Sequence, residues 1–249
     1  MPTLLRIVTK SLTGVGVFAG QVLRSAHRQD LPSHNNQDPS GNFGDPSLPR
    51  LRIALLGDSS ITSPGVYPLD DCWPRRLARH LNDRYYVELR SVGVGGSKAR
   101  DVLADQVPRA IETEPDMAFV SVGANDALRG TAVARFEREL DEILSTLSGT
   151  IPMVGVSGIG DLGSIPRLPD LARTFSRVRA RSFDGAVRRV AARHPDVVKS
   201  RSWGPLWKPF DDQPEVIFAP DQFHASAAGH ALFAAAAIPL AEALLARRG

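Results

Sequence analysis

Residues 51–62 have the sequence LRIALLGDSSIT, an apolar run that ends abruptly at Gly57, Asp58 and Ser59. A short apolar run bounded by glycine predicts a buried β-strand over Leu51–Leu56. The polar residues then lie in a turn at the carboxyl end of that strand. Ligands of open α/β sheets bind outside the carboxyl ends of the strands. The sequence therefore places the Ser59 hydroxyl where a substrate would bind.

Beyond this stretch the chain alternates between short apolar runs and longer amphipathic stretches. The predicted strands are Leu51–Leu56, Tyr86–Val92, Met117–Val122, Ile151–Val156 and Val197–Lys199. The predicted helices lie near Cys72–Asn82, Lys98–Val107, Thr131–Leu147, Leu171–Arg193 and Ala225–Arg247. Repeated alternation of strand and helix predicts an α/β domain, in which helices cover both faces of a mostly parallel sheet.

The helix Leu171–Arg193 has apolar residues at helical spacing between its arginines, which predicts one buried face and one solvated face. These residues are Leu171, Phe175, Val178, Phe183, Val187 and Val190.

The first fifty residues differ in composition from the rest, and we assign 1–50 to an N-terminal segment and 51–249 to the folded domain. Residues 28–50 are rich in Pro, Asn, Asp, Gly and Ser, as in a linker or irregular arm. The apolar run Leu12–Leu23 is too short to span a bilayer. It fits a signal peptide, an interfacial helix with basic flanks or a helix docked on the fold, so weak membrane-surface association through residues 1–27 stays open.

The bulk composition is that of a soluble globular protein, with 43% hydrophobic and 23% charged residues. The net charge of +3 is small and the arginines are interleaved with apolar positions, so no nucleic-acid partner is expected. Cys72 is the one cysteine, which excludes an internal disulfide and a CxxC metal site, and we interpret it as a packing residue. A cytoplasmic or membrane-associated location is favoured over a secreted one, and the sequence does not indicate an oligomeric state.

Three further polar or glycine-rich blocks follow the first one. Residues 91–97 read SVGVGGS after the second strand, and glycines there let the backbone approach a ligand. Asn125 follows the third strand, where its amide can donate to an oxyanion or close an Asx turn. Asp221 and His224 precede the last helix, where they form either an Asp–His pair that activates a serine or a helix cap with a surface histidine. Ser59 likewise is either a nucleophile or a helix N-cap.

These four blocks, in this order, resemble those of the SGNH hydrolases, also called the GDSL family. The residues that match the family's block residues are Ser59, Gly96, Asn125 and His224, with Asp221 as the aspartate of the last block. The resemblance covers roughly residues 51–247.

The sequence departs from the family pattern in two places. The first block reads GDSS where the family name has GDSL. The second has Ser91 where many members carry Asn, and Gly95-Gly96 where they carry Ser-Gly, so the choice of Gly96 over Gly93 rests on the alignment.

The resemblance implies a flavodoxin-like three-layer α/β/α sandwich with a central five-stranded parallel sheet. It also implies a serine hydrolase that cleaves carboxylic esters, as a carboxylesterase or lipase, through an acyl-enzyme on Ser59. Asp221 and His224 would complete the catalytic triad, and the oxyanion hole would comprise Ser59, Gly96 and Asn125. No metal or organic cofactor is needed, and the substrate would be a small-molecule, lipid or carbohydrate ester.

Two other functions remain open on the same residues. An acyltransferase or a carbohydrate O-deacetylase would use the same catalytic groups, and a non-catalytic binding module could keep the fold. A further open point is a cluster of aromatic residues before Asp221, which would line a substrate pocket or form a small core under a loop. These residues are Trp203, Trp207, Phe210 and Phe218.

Overall fold

A six-stranded sheet forms the centre of the computed structural model, which describes residues 30–247. Its strands are β1 (Gly41–Phe43), β2 (Arg50–Gly57), β3 (Tyr86–Ser91), β4 (Met117–Ser121), β5 (Met153–Val156) and β6 (Val197–Lys199). The strand order is β1-β3-β2-β4-β5-β6. Strands β2 to β6 pair in parallel, and β1 pairs antiparallel with β3. The α/β class and the five parallel strands are thus confirmed, but the sheet has six strands and not five, because β1 adds an antiparallel edge.

Strand β1 lies within the polar stretch that the sequence analysis placed outside the domain. Gly41 pairs with Leu89 of β3. Just before it, the Ser40 hydroxyl accepts from the Ser91 N–H at 2.9 Å. Three residues with the sequence GNF carry no hydrophobic alternation, so only their pairing with β3 makes them a strand. Part of the polar arm therefore packs on the domain.

The helices occupy the connections between strands and also follow β6. They are α1 (Ser59–Thr62), α2 (Trp73–Leu81), α3 (the contiguous segments Ala99–Asp101, Val102–Gln106 and Val107–Glu112), α4 (Ala124–Leu128), α5 (Val133–Ser148), α6 (Asp170–Ala191), α7 (Pro209–Asp212), α8 (Pro214–Ile217) and α9 (Ala227–Ala246). The middle segment of α3 is π-helical. Short 3₁₀ turns cover Leu69–Asp71, Leu162–Ser164 and Pro205–Trp207.

Side chains of β2 point alternately into two hydrophobic cores, one on each face of the sheet. Ala54 and Leu56 pack in a core with α3, α5 and α6. Leu51, Ile53 and Leu55 pack in the other core with α2 and α9. A strand that is buried on both faces has a nearly continuous apolar sequence, as residues 51–56 do. The three layers place the carboxyl end of β2, and with it Ser59, at one edge of the sheet.

The N-terminal half of α6 buries a different face from the one predicted. Phe183, Val187 and Val190 are buried as expected, but Leu171, Phe175 and Val178 are 57%, 50% and 61% exposed, so that part of the prediction is wrong. The small residues of this half, among them Ala172 and Ser176, are buried instead. They let the helix approach the Leu162–Ser164 turn closely, where Arg173 Nε donates to the Gly163 carbonyl at 2.7 Å. The close approach selects small side chains for the buried face.

Helix α9 is long and apolar enough to cross a membrane by length and composition alone. In the fold, however, it packs on the sheet, with Ala234, Ala241 and Leu244 buried in the core that it shares with α2. A helix that is apolar on all sides is typical of the interior of a globular protein. The apolar run Leu12–Leu23 lies outside the described residues.

Candidate active site

The turn that carries Ser59 is fixed by its neighbours. Gly57 has φ +148°, and a Cβ added there would lie 2.0 Å from the Ser121 carbonyl oxygen, so only glycine fits. Asp58 is the N-cap of α1, and its carboxylate accepts from the Ser60 N–H at 3.0 Å. Ser59 is the first residue of the helix and is not the cap. Its hydroxyl forms no hydrogen bond with the residues that the structure describes, which leaves it available for chemistry.

Asp221 and His224 are joined in the loop before α9. His224 Nδ1 lies 2.6 Å from Asp221 Oδ2, and Asp221 Oδ1 accepts from the N–H groups of Phe223 and His224 at 2.9 and 3.0 Å. Gln222 has φ +58°, which turns the chain back so that the two side chains meet. Burial raises the pKa of the Asp221 carboxyl, but the hydrogen bonds from His224 and Phe223 outweigh it and hold that pKa below its ordinary value.

The helix-cap alternative for Asp221 does not fit this geometry. The N-cap of α9 is Ser226, whose hydroxyl accepts from the Ala228 and Gly229 N–H groups at 3.2 and 3.3 Å. Asp221 instead fixes one imidazole nitrogen of His224, and the His224 side chain remains 25% exposed.

Asn125 lies against the Ser59 turn. Its Nδ2 is 3.3 Å from Asp58 Oδ2, and both side chains are buried. Burial raises the pKa of Asp58, while hydrogen bonds from Ser60 and Asn125 and the charge on His224 lower it. Asp58 and Ser60 line the same cavity as Phe223 and Ala225, the two sequence neighbours of His224, so the His224 loop and this turn lie at one site. An amide nitrogen has two hydrogens, so Asn125 can donate one to Asp58 and keep one for a ligand.

Among the glycines of the SVGVGGS segment, Gly96 is the least crowded. A Cβ added to Gly93 would lie 2.8 Å from Ile61, and one added to Gly95 would lie 2.0 Å from the Asn36 side chain. Gly96 has φ +83°, and its nearest neighbour would be the Arg129 guanidinium at 3.5 Å. Arg129 Nη1 also donates to the Gly96 carbonyl at 3.2 Å. The packing of Gly93 against Ile61 therefore favours Gly96 as the residue that faces a ligand.

Two residues that the sequence analysis did not assign tie these blocks together. Gln106 is buried and bonds both polar groups of the Gly57 backbone, with the amide N–H at 2.7 Å and the carbonyl at 3.0 Å, as well as the Ser97 hydroxyl at 3.0 Å. Asp126 accepts from the Ala99 N–H at 2.9 Å and so links the start of α3 to the Asn125 turn. Burial raises the pKa of Asp126. An isolated glutamine in a helix carries no sequence motif, whereas Asp126 directly follows Asn125 in the sequence.

A cavity of about 210 Å³ lies beside this constellation. Three of the four aromatic residues that the sequence singled out line it, namely Trp207, Phe210 and Phe218. The fourth, Trp203, packs against the core formed with α3, α5 and α6, and the Arg181 guanidinium lies 5.1 Å from its ring centre. Three members of the aromatic cluster thus line a cavity, whereas Trp203 belongs to the main core and forms no separate small core under the loop.

The His230 and Cys72 side chains are structural. His230 is buried, and its Nδ1 accepts from the Trp73 N–H at 3.2 Å. Burial lowers the pKa of His230 to about 3, so the ring is neutral at physiological pH. Cys72 is buried, and burial raises the pKa of its thiol, as expected for a packing residue.

Comparison with solved structures shows the same fold in several enzymes. LAE5, an alpha/beta hydrolase enzyme from the metagenome of Lake Arreo in Spain, aligns with a TM-score of 0.62 and 21% identity over 79% of this chain and 97% of its own. TesA aligns with a TM-score of 0.62 and 20% identity over 78% of this chain and 99% of its own. Axe2, an acetylxylan esterase from Geobacillus stearothermophilus, aligns with a TM-score of 0.59 and 16% identity over 78% of this chain and 94% of its own.

Sequence comparison gives the family. A GDSL-like esterase of Mycobacterium tuberculosis is 25% identical over 191 residues, which are 74% of this chain and 59% of that protein. The match thus spans less than two thirds of the relative's length. The profile of the GDSL-like lipase/acylhydrolase family matches residues 55–232, a range that contains Ser59, Gly96, Asn125, Asp221 and His224. With most of its folded domain covered by that profile, the chain belongs to the GDSL-like lipase/acylhydrolase family.

Proposed function

We propose that this protein is a serine hydrolase of carboxylic esters that works through an acyl-enzyme on Ser59. The observation that carries the proposal is the pair formed by Asp221 and His224 at 2.6 Å, in a loop that borders the same cavity as the Ser59 turn. Among the described residues, the Ser59 hydroxyl has no hydrogen-bond partner. Serine is a poor nucleophile unless a base removes its proton. A histidine held by a carboxylate supplies that base.

In the proposed reaction, His224 takes the proton of Ser59 Oγ as the oxygen attacks the ester carbonyl carbon. Asp221 holds His224 in one tautomer and stabilises the imidazolium that forms. The same imidazolium then gives its proton to the departing alcohol. A water molecule, activated by neutral His224, attacks the acyl-enzyme and releases the acid together with free Ser59.

Three donors are proposed for the negative oxygen of the tetrahedral intermediate: the N–H groups of Ser59 and Gly96 and the Asn125 side-chain amide. The Ser59 N–H is in the first turn of α1, where a helix provides no internal partner. Donors that are fixed before the reaction stabilise developing charge at low reorganisation cost. The hydrogen bonds from Gln106 and Asn125 to the Ser59 turn support such fixation.

The experiment is ester hydrolysis by wild type, Ser59→Ala and Ser182→Ala, measured with a short nitrophenyl ester before and after treatment with a serine-trapping phosphonate. We expect Ser59→Ala to lose turnover by several orders of magnitude, in keeping with removal of a triad member. Ser182→Ala, which removes an exposed hydroxyl of α6, should keep wild-type turnover. Peptide mass analysis should place the phosphonate on Ser59. Turnover retained in Ser59→Ala, or a phosphonate on another residue, would contradict the proposal.

A further inference from the structure

The cavity of about 210 Å³ adjoins three of the four proposed catalytic blocks, those of Ser59, Asn125 and His224. Five of its wall residues are sequence neighbours of Ser59, Asn125 or His224: Asp58, Ser60, Ala124, Phe223 and Ala225. The wall then continues along α9, with Phe233, Ala236 and Leu240. The cavity thus extends from beside the Ser59, Asn125 and His224 segments to the last helix.

The part of the wall away from the catalytic residues is mostly apolar. Phe210 and Phe233 stack with their ring centres 5.7 Å apart and their planes at 17°, and Trp207 lies 5.9 Å from Phe233. Phe218 meets Phe210 edge to face at 5.4 Å. Ring contacts on several sides hold these side chains in place, so the cavity is bounded by fixed walls. A concave, mainly apolar site of this kind stabilises an apolar group by removing it from water.

Five of the six serine hydroxyl groups in the wall are bonded within the protein, with Ser200 Oγ accepting from the Gly158 N–H at 3.2 Å. Ser60 Oγ and Ser121 Oγ lie 2.7 Å apart, and Ser202 Oγ donates to Asp184 at 2.6 Å. Ser164 Oγ donates to a backbone carbonyl at 2.6 Å. Because these groups have partners, filling the cavity with an apolar group leaves them satisfied.

The two halves of an ester place different demands on a site of this reaction. The alcohol must leave, and water must then reach the acyl-enzyme beside His224, whose side chain is 25% exposed. The acyl group stays bound to Ser59 throughout. A recess inside the fold therefore suits the acyl group, while the alcohol needs the open side.

On these grounds, and resting on the proposed ester hydrolysis, we propose that the cavity is an acyl site that selects a compact apolar acyl group. The volume sets the size, because an apolar cavity of about 150 Å³ holds a benzene molecule. A cavity of about 210 Å³ accordingly admits a chain of roughly six to eight carbons, or a single aromatic ring. Acetyl groups leave most of it empty, and long fatty acyl chains exceed it.

The test is kcat/KM for two series of esters, with acid release followed by titration. In the acyl series the alcohol is methanol and the acid is acetic, butyric, hexanoic, octanoic, dodecanoic or benzoic acid. In the alcohol series the acid is acetic acid and the alcohol is ethanol, hexanol or benzyl alcohol. We expect kcat/KM to rise by roughly threefold per methylene up to hexanoate or octanoate, on the scale of burying each group, and to fall at dodecanoate. The alcohol series should change little.

Variants of α9 locate the selectivity in this cavity. Ala236→Leu adds bulk to the cavity wall and should lower the ratio of octanoate to acetate hydrolysis at least tenfold. Phe233→Ala enlarges the cavity and should move the optimum toward dodecanoate, which provides an independent test if the first variant folds poorly. Ala235→Leu is the matched control, because Ala235 is exposed on the same helix and does not line the cavity. Its acyl profile should be that of wild type.

The outcomes separate this proposal from the one on which it rests. If the wild-type protein shows no Ser59-dependent hydrolysis of any ester in the two series, both the proposed ester hydrolysis and the acyl site are wrong. Hydrolysis that depends on Ser59 but shows a flat acyl profile, or a profile that neither Ala236→Leu nor Phe233→Ala changes, would overturn the acyl site alone. Selectivity that follows the alcohol series would assign the cavity to the leaving group and would equally overturn the proposal.

Discussion

At the scale of single residues, Asp221 combines two tasks in one carboxylate. One oxygen fixes the His224 ring, and the other accepts two backbone N–H groups of its own loop. The loop therefore holds the carboxylate in place, and the carboxylate holds the imidazole. Asp221 and His224 are only three residues apart in the sequence. Their side chains meet because Gln222, which lies between them, adopts a positive φ.

Replacing Asp221 by Asn keeps the size of the side chain but removes the charge that selects the His224 tautomer. We expect kcat to fall by up to about 10⁴-fold, as in other triads. The pKa of Asp221 lies below its ordinary 3.8, so its contribution to folding is present above that pH and is lost as the pH falls through the lowered pKa. In Asp221→Asn, the free energy of unfolding should therefore decrease less steeply than in wild type as the pH is lowered from 5 to 2. Denaturant titrations across this pH range measure the difference.

Asp45→Asn is the control for this variant, since the Asp45 carboxyl also has a lowered pKa, from hydrogen bonds to Ser47, but lies outside the site. It should keep wild-type turnover. An unchanged rate in Asp221→Asn would remove the carboxylate from the mechanism and leave a Ser59–His224 dyad.

The sequence could nominate the proposed chemical residues because they lie in short local motifs. Ser59, Gly96 and Asn125 follow predicted strands, and Asp221 and His224 precede the last predicted helix. Gln106 could not be identified in this way, because its role depends on two distant partners, Gly57 and Ser97, that only the fold brings to it. Leu171 and Phe175 were assigned to the wrong face for a related reason. Helical spacing identifies an apolar stripe, but the partner of the helix decides which stripe is buried.

At the scale of secondary-structure elements, α3 connects two blocks of the site. Its π-helical segment Val102–Gln106 ends on the residue that bonds Gly57 and Ser97. A π-helical turn shifts the register of the residues that follow it, and such turns are frequent at functional sites. In this protein the turn aims a glutamine side chain at the backbone just before Ser59.

Gln106→Met keeps the side-chain length but removes this partner of the buried Gly57 N–H, while the Gly57 carbonyl keeps its hydrogen bond from the Val94 N–H at 3.0 Å. A buried N–H without a partner costs about 1–3 kcal/mol of stability, so we expect a lower midpoint in thermal unfolding. Turnover should also fall, because the Ser59 turn loses its fixed position. Asp105→Asn, at the exposed neighbouring position, should change stability by less than about 0.5 kcal/mol. Equal midpoints for Gln106→Met and wild type would mean that this contact contributes nothing to the fold.

Helix α2 depends on a neutral histidine at its start. The pKa of His230 falls from 6.5 to about 3 because the ring is buried, with smaller effects from the charges of Arg76 and His224. The unfolded chain binds a proton below pH 6.5 and the folded chain does not, so stability is full above pH 6.5 and decreases toward pH 3. The slope from this group approaches about 1.4 kcal/mol per pH unit.

His230→Gln retains an acceptor for the Trp73 N–H and does not titrate. The variant should therefore show a shallower decrease of unfolding free energy between pH 6.5 and 3 than wild type. Exposed His80, which pairs with Glu242 at 2.8 Å, provides the control His80→Gln. A wild-type slope in His230→Gln would show that the acid sensitivity arises elsewhere.

At the scale of the whole molecule, the polar arm contacts helix α1 and the residues that follow it. The Gln37 amide side chain donates to the carbonyls of Ser63 and Val66 at 2.7 and 3.0 Å, and the Thr62 hydroxyl donates to Asn36 Oδ1 at 2.7 Å. These acceptors and donors lie in α1 or just after it. Together with β1, the contacts join residues before position 50 to the helix that begins at Ser59.

This arrangement makes the domain boundary at residue 50 testable. We compare two shortened chains, one beginning at Asp30 and one beginning at Pro46, so that the difference reports residues 30–45 alone. The shorter chain loses β1 and the contacts of Asn36 and Gln37, each lost hydrogen bond contributing about 1 kcal/mol. Its thermal midpoint and its kcat should both be lower, because the turn at Ser59 loses support. Gln37→Ala in the full chain should shift the midpoint in the same direction by a smaller amount. Identical midpoints and turnover for the two shortened chains would instead agree with the domain start at residue 51 that the sequence composition predicts.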